Sequence, residues 1–195
     1  MAKEKKEKTP GYEEFHDALQ SGVVGNVYIF HGEETYLMQQ AVAELQARLV
    51  PAGFEEFNYH RLTGKGLTVQ EVVEAAEAMP MMAERTLVTV EDMDLFKLDE
   101  AQRGALVALL GDFPVYCTLV FLYRQIPYKT DAKLKKLTAA LAERAQVIEF
   151  AQQGQQKPAQ AQPQQKPVQQ VQRPAQQQAV PQQKSNKSTA TAQPT

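Results

Sequence analysis

The sequence predicts an α/β domain, a five-stranded parallel sheet with helices on both faces, followed by an unstructured tail. Three observations carry that expectation. Short apolar, β-branched runs, among them VYIFHG (27–32), TLVTV (86–90) and CTLVFLY (117–123), are separated by amphipathic stretches of helical length. Strands alternating with helices in this way imply crossover connections, which make neighbouring strands parallel and put the helices on the faces of the sheet. The composition then changes: from Gly154 to Thr195 the chain is almost entirely Gln, Pro, Ala, Lys, Ser and Thr, and six of its eleven prolines lie there.

Taken in order, residues 1–10 form a charged arm, and a short helix over 12–21 presents Tyr12, Phe15 and Leu19 on one face before Gly22 and Gly25 break it. VYIFHG is a buried strand closed by Gly32. Residues 33–50 form a helix with Glu33, Glu34 and Thr35 in its first turn and Tyr36, Leu37, Ala41, Leu45 and Leu49 at helical spacing. FNYHRL (57–62) alternates apolar and polar residues, as a strand near an edge does. Thr68 caps a helix running to Ala78 with Val69, Val72, Val73 and Ala76 inward, and TLVTV follows as a buried strand. Asp99 starts a helix ended by Gly111, and CTLVFLY is the most apolar strand. Thr130 or Asp131 caps a helix through Arg144 with Leu134, Leu137 and Leu141 on one stripe, and AQVIEF (145–150) is a last strand.

The domain is therefore expected over residues 11–152 and the tail over 153–195. The tail lacks the branched and aromatic side chains that offset the entropy of ordering, and its prolines forbid long helices. Charge divides the same way. The tail carries five bases (Lys157, Lys166, Arg173, Lys184, Lys187) and no acid, leaving the body at about −7 within a chain of net charge −2. An acidic body argues against a dedicated nucleic-acid-binding domain, which needs clustered Lys and Arg, so any contact with DNA is expected to be weak or indirect. The single cysteine, Cys117, lies in the apolar run PVYCTLVFL and reads as a small buried hydrophobe in a reducing compartment. No secretory signal and no membrane-length apolar stretch are seen, so a soluble, cytoplasmic protein is expected.

The turn after the first strand is where a phosphate-binding loop would sit in a doubly wound domain. Such a loop needs several glycines and a Lys-Ser/Thr pair. His31-Gly32-Glu33-Glu34-Thr35-Tyr36 has one glycine, no lysine, and two carboxylates facing where phosphate would approach. Glu91-Asp92 after the third strand looks like the acidic end of a Mg²⁺-binding strand, but with no phosphate site beside it the favoured reading is a solvated strand end. His16, His31 and His60 lie far apart, with no metal-ligand spacing, and no GxSxG element is present. No catalytic, cofactor-binding or metal site is expected.

The segment Ala78-Met79-Pro80-Met81-Met82-Ala83-Glu84-Arg85 links a helix to a buried strand. Pro80 stops the helix and drives Met79 to an extended conformation. Two placements stand for the following pair. Both methionines fill core under the sheet edge, or one or both stand exposed, where flexible thioether chains fit a partner's pocket.

Over about Tyr12 to Phe150 the sequence resembles the delta subunit family of bacterial DNA polymerase III, the wrench of the clamp loader. YEEF opens the resemblance, and VYIFHGEETYL resembles the family's first strand and Gly-Glu-Glu turn. AEAMPMMAERTLVTVEDMD resembles its helix, loop and third strand, and KTDAKLKKLTAALAERAQVIEF its Lys/Leu-rich helix and closing strand. The resemblance implies a P-loop NTPase fold of the AAA+ type that has lost its nucleotide site. It further implies a module that binds the ring-shaped sliding clamp (the beta subunit) and promotes its opening during DNA replication, with other clamp-loader subunits as partners. The clamp-binding element falls on Met79, Pro80, Met81 and Met82, with Met81-Met82 as the hydrophobic pair. Family members usually carry a bulky aliphatic or aromatic residue first and Phe second, so two methionines depart from the pattern. No intrinsic activity is implied, and polymerase activity attaches only through membership of the complex. In the family Phe150 is followed by a small helical domain and a helical collar; residues 154–195 stand in their place here, so the implication for loader assembly stops at the first domain. The alternative is a nonfunctional or scaffold fragment whose Gln/Pro tail mediates interactions.

Overall fold

The computed structural model describes residues 10–63 and 66–151. The expected charged arm, apart from Pro10, and the expected tail lie outside the described residues. The elements are α1 (Tyr12–Gln20), β1 (Val27–Gly32), α2 (Thr35–Leu49), α3 (Glu55–Asn58), β2 (Tyr59–Leu62), α4 (Val69–Glu77), β3 (Thr86–Glu91), α5 (Glu100–Gly111), β4 (Cys117–Tyr123), α6 (Lys135–Arg144) and β5 (Ala145–Phe150).

The five strands pair only in parallel, in the order β2-β3-β4-β1-β5. From β1 the chain travels to the far edge to start β2, then returns through β3 and β4 and steps past β1 to β5. Crossovers of one hand place a connection on opposite faces according to its direction of travel. The outward connection thus lays α2 on one face, and the three returning connections lay α4, α5 and α6 on the other. The two cores follow that division. On one face Phe15, Leu19, Met38, Ala41 and Leu45 pack on Tyr28, Phe30, Leu87, Val120, Leu122 and Ile148. On the other, Val69, Val72, Ala76, Leu106, Leu110, Leu137 and Leu141 pack on Val27, Ile29, Val88, Val90, Leu119 and Phe121. Strands covered on both sides read as unbroken apolar runs, which is why every residue of β4 is buried.

Caps define the helix ends. Thr68 Oγ1 accepts from the Glu71 N–H at 3.3 Å while the Glu71 carboxylate accepts from the Thr68 N–H at 2.8 Å, a reciprocal capping box at the start of α4. Asp99 accepts from the Gln102 N–H at 2.8 Å at the start of α5.

Three local expectations are corrected. FNYHRL is not a strand throughout: the Phe54 carbonyl captures the Asn58 N–H at 3.1 Å, Phe57 and Asn58 close the single turn of α3, and β2 begins at Tyr59. The last helix begins at Lys135 rather than near Asp131. Asp131 instead closes a separate turn, its carboxylate accepting from the Lys133 N–H at 2.9 Å and its carbonyl from Leu134 at 3.0 Å. In α2, Tyr36 faces outward and Met38 takes the buried position, because the core stripe is Met38, Ala41 and Leu45, and Tyr36 lies about 200° around the helix from Met38.

Candidate functional site

All strands being parallel, the turns that follow them gather at one end of the sheet and the loops that precede them at the other. The carboxyl end holds the turn where a nucleotide phosphate would bind. Gly32 there has φ of +134°, and a Cβ on it would lie 2.2 Å from the Phe150 carbonyl oxygen. That same carbonyl accepts from the Glu34 N–H at 3.0 Å, so an amide that would face a phosphate is spent on β5. His31 is half-buried against the Tyr128 ring, 5.2 Å between centroids, and burial lowers its pKa despite the opposing pull of Glu149.

The acidic strand end is built into the framework too. Glu91 is not a freely solvated residue: its mostly buried carboxylate sits 2.7 Å from Arg61 Nη2 and 3.5 Å from Arg124 Nη1. Asp92, at φ of 53°, accepts from the Arg124 and Gln125 N–H groups at 2.8 Å each. Its carboxylate therefore closes the loop after β4 rather than standing ready for a cation. Among the described residues no group of three or more His, Cys, Asp or Glu is placed to hold a metal ion.

The amino end carries the methionine loop. Helix α4 ends at Glu77, whose carbonyl accepts from the Tyr116 hydroxyl at 3.3 Å, and Ala78 turns the chain extended two residues before Pro80. Met79, Met81 and Met82 then stand 73%, 44% and 78% exposed. Of the two placements the residues left open, exposure is the one adopted. Phe57, in the last turn of α3, is also in the open, 49% exposed. Met82 takes a left-handed φ of 54°, uncommon for a side chain of its size.

What holds the loop is a residue that sequence reasoning missed. Asn58 is fully buried. Its amide Nδ2 donates to the Met81 carbonyl at 2.8 Å and to the Phe54 carbonyl at 3.0 Å, and its Oδ1 accepts from the Met81 N–H at 2.8 Å. The side chain thus bonds Met81 at both backbone polar groups, as a neighbouring strand would. The available signal was an Asn inside an apparent strand, where its β propensity is poor and its amide needs partners.

The model of the family described as DNA polymerase III, delta subunit, matches residues 28–151, from β1 through β5. The chain belongs to that family. It is 30% identical over 139 residues to the DNA polymerase III subunit delta of Bacillus subtilis, an alignment covering 68% of this chain and 39% of that protein. Among solved structures it is similar to the Bacillus subtilis DNA clamp loader delta protein, with TM-score 0.62 and 27% identity over 72% of this chain and 42% of the other. The chain thus spans about two-fifths of the length of these delta relatives. The match to the delta family takes in the methionine loop, Asn58 and the closed phosphate-loop turn. No helix among the described residues is long and apolar enough to cross a membrane.

Proposed function

We propose that this domain grips the sliding clamp of the replication machinery through Met81 and Met82, with Met79 and Pro80 shaping the loop, and that it performs no chemistry of its own. The observation that carries the reading is the exposure of two consecutive methionines on a loop whose backbone is tied down by a buried side chain. Exposed apolar groups on a fixed scaffold favour a partner, since hiding them from water is their main gain.

The energetics fit a gripping role. Burying one Met side chain in a pocket is worth roughly 1.5–3 kcal/mol, so the pair supplies a compact hot spot while the rest of the loop excludes water. A domain that binds an opened clamp more strongly than a closed ring draws the ring toward opening by that difference in affinity, without hydrolysis. The turn closed on Phe150 and the engaged Glu91 and Asp92 support leaving ATP to other subunits of the loader. DNA is then reached through the clamp and the loader rather than by the acidic body directly.

The test is a pull-down with the cognate clamp. Wild-type chain co-elutes and the Met81→Ala/Met82→Ala variant loses most of that binding while keeping a cooperative unfolding transition. Equal recovery of the two proteins would discard the loop as the contact.

A further inference from the structure

We infer that Asn58 is a positioning residue for the docking loop, setting clamp affinity by holding Met81 and Met82 in their binding geometry before the partner arrives. The inference rests on the reading of the methionine loop as the docking element.

Three features carry it. First, the Asn58 side chain joins segments distant in sequence: it bonds Phe54 four residues back and Met81 twenty-three residues ahead. Second, it engages the N–H and the C=O of Met81 together, at 2.8 Å each, which fixes that residue's backbone from both sides. Third, the segment 78–85 has no helix or strand of its own to fix it. The next residue, Met82, sits at φ of 54°, a conformation a free chain visits rarely. With Asn58 present, the entropy of ordering the loop is met on folding. Without it, the same cost falls on association.

Asn58 touches no partner atom in this account: it is buried and acts through Met81. A framework role alone would lower stability and leave the affinity of the folded protein unchanged, so the two roles separate experimentally. The full chain is titrated onto immobilised clamp at a temperature where wild type, Asn58→Ala and Asn58→Asp are each folded by circular dichroism. Hydrogen exchange of the Met81 amide and of the β3 amides is followed in parallel.

The Ala variant is expected to bind at least about ten-fold more weakly. Its Met81 amide exchanges faster while the β3 amides keep their protection. The Asp variant keeps the acceptor for the Met81 N–H but turns a carboxylate oxygen toward the Phe54 and Met81 carbonyls. Its affinity relative to wild type at the same pH should recover as pH falls and a proton restores one donor. Wild-type affinity in a folded Ala variant would overturn the inference and leave the clamp reading standing. Absence of binding by the wild type would remove the clamp reading and this inference with it.

Discussion

Gly32 and Phe150 pair across the carboxyl end of the sheet so closely that Gly32 has no room for a side chain: a Cβ would stand 2.2 Å from the Phe150 carbonyl oxygen and 2.8 Å from its nitrogen. In this chain the turn after the first strand is held by the last one. The glycine permits a close approach of backbone to backbone rather than a cradle for phosphate.

Gly32→Ala should therefore destabilise the domain by about 2–4 kcal/mol, combining the cost of a side chain at positive φ with displacement of β5. Urea unfolding of variant and wild type measures it. A loss below half a kcal/mol would mean β5 does not press on the turn as described.

The helix that precedes the sheet is tied to α2 through one carboxylate. Glu44 accepts from the Tyr12 hydroxyl at 2.6 Å and pairs with His16 Nδ1 at 2.8 Å. Burial pushes the Tyr12 pKa up, the Glu44 bond and charge add to it, and the result is about 12. A phenol whose folded pKa lies above its unfolded value near 10 contributes stability that is complete below pH 10 and fades as pH rises toward 12. Burial also raises Tyr28, Tyr123 and Tyr128, so the alkaline loss is shared. Tyr12→Phe should leave a shallower fall of stability between pH 10 and 12 than the wild type shows, read from urea midpoints across that range. An unchanged slope would contradict the coupling.

The acid side runs oppositely. For Glu44, burial acts to raise the pKa, but the bonds from Tyr12, His16 and Gln40 outweigh it and lower the value below 4.5. Its contribution is present above pH 4.5 and is lost as pH falls through the depressed folded value. Glu44→Gln should flatten the acid limb of the stability profile below that pH.

Cys117 is fully buried at the start of β4, and burial raises its thiol pKa to about 11. The folded protein should leave this thiol unmodified by an aromatic disulfide reagent at pH 8, and reaction should appear in step with unfolding in urea. Prompt reaction in native buffer would show that this strand end opens locally.

Much of the fold was legible because its signals are local. Val27–Gly32 and Cys117–Tyr123 are bounded as the apolar runs indicate, since buried parallel strands need side chains apolar on both faces. Thr68 and Asp99 marked helix starts because their side chains bond the amides three residues on. The order of strands was not readable: β1 between β4 and β5 is a matter of which edges meet, and no residue pattern within a strand names its neighbour. The methionine loop was legible as a place but not as a surface, because Met81 and Met82 suit a core as well as a pocket and only the tertiary fold decides. Asn58 escaped for the same reason. Its role depends on Met81, twenty-three residues away, and an alternating FNYHRL hides it among strand residues.

Whether Met81 and Met82 grip the clamp is decided by surface plasmon resonance of the full chain over immobilised cognate clamp. Saturable binding by the wild type is expected, and it should disappear in Met81→Ala/Met82→Ala, with both proteins folded. Wild-type and variant chains that bind alike, or a folded wild type that does not bind, would contradict it.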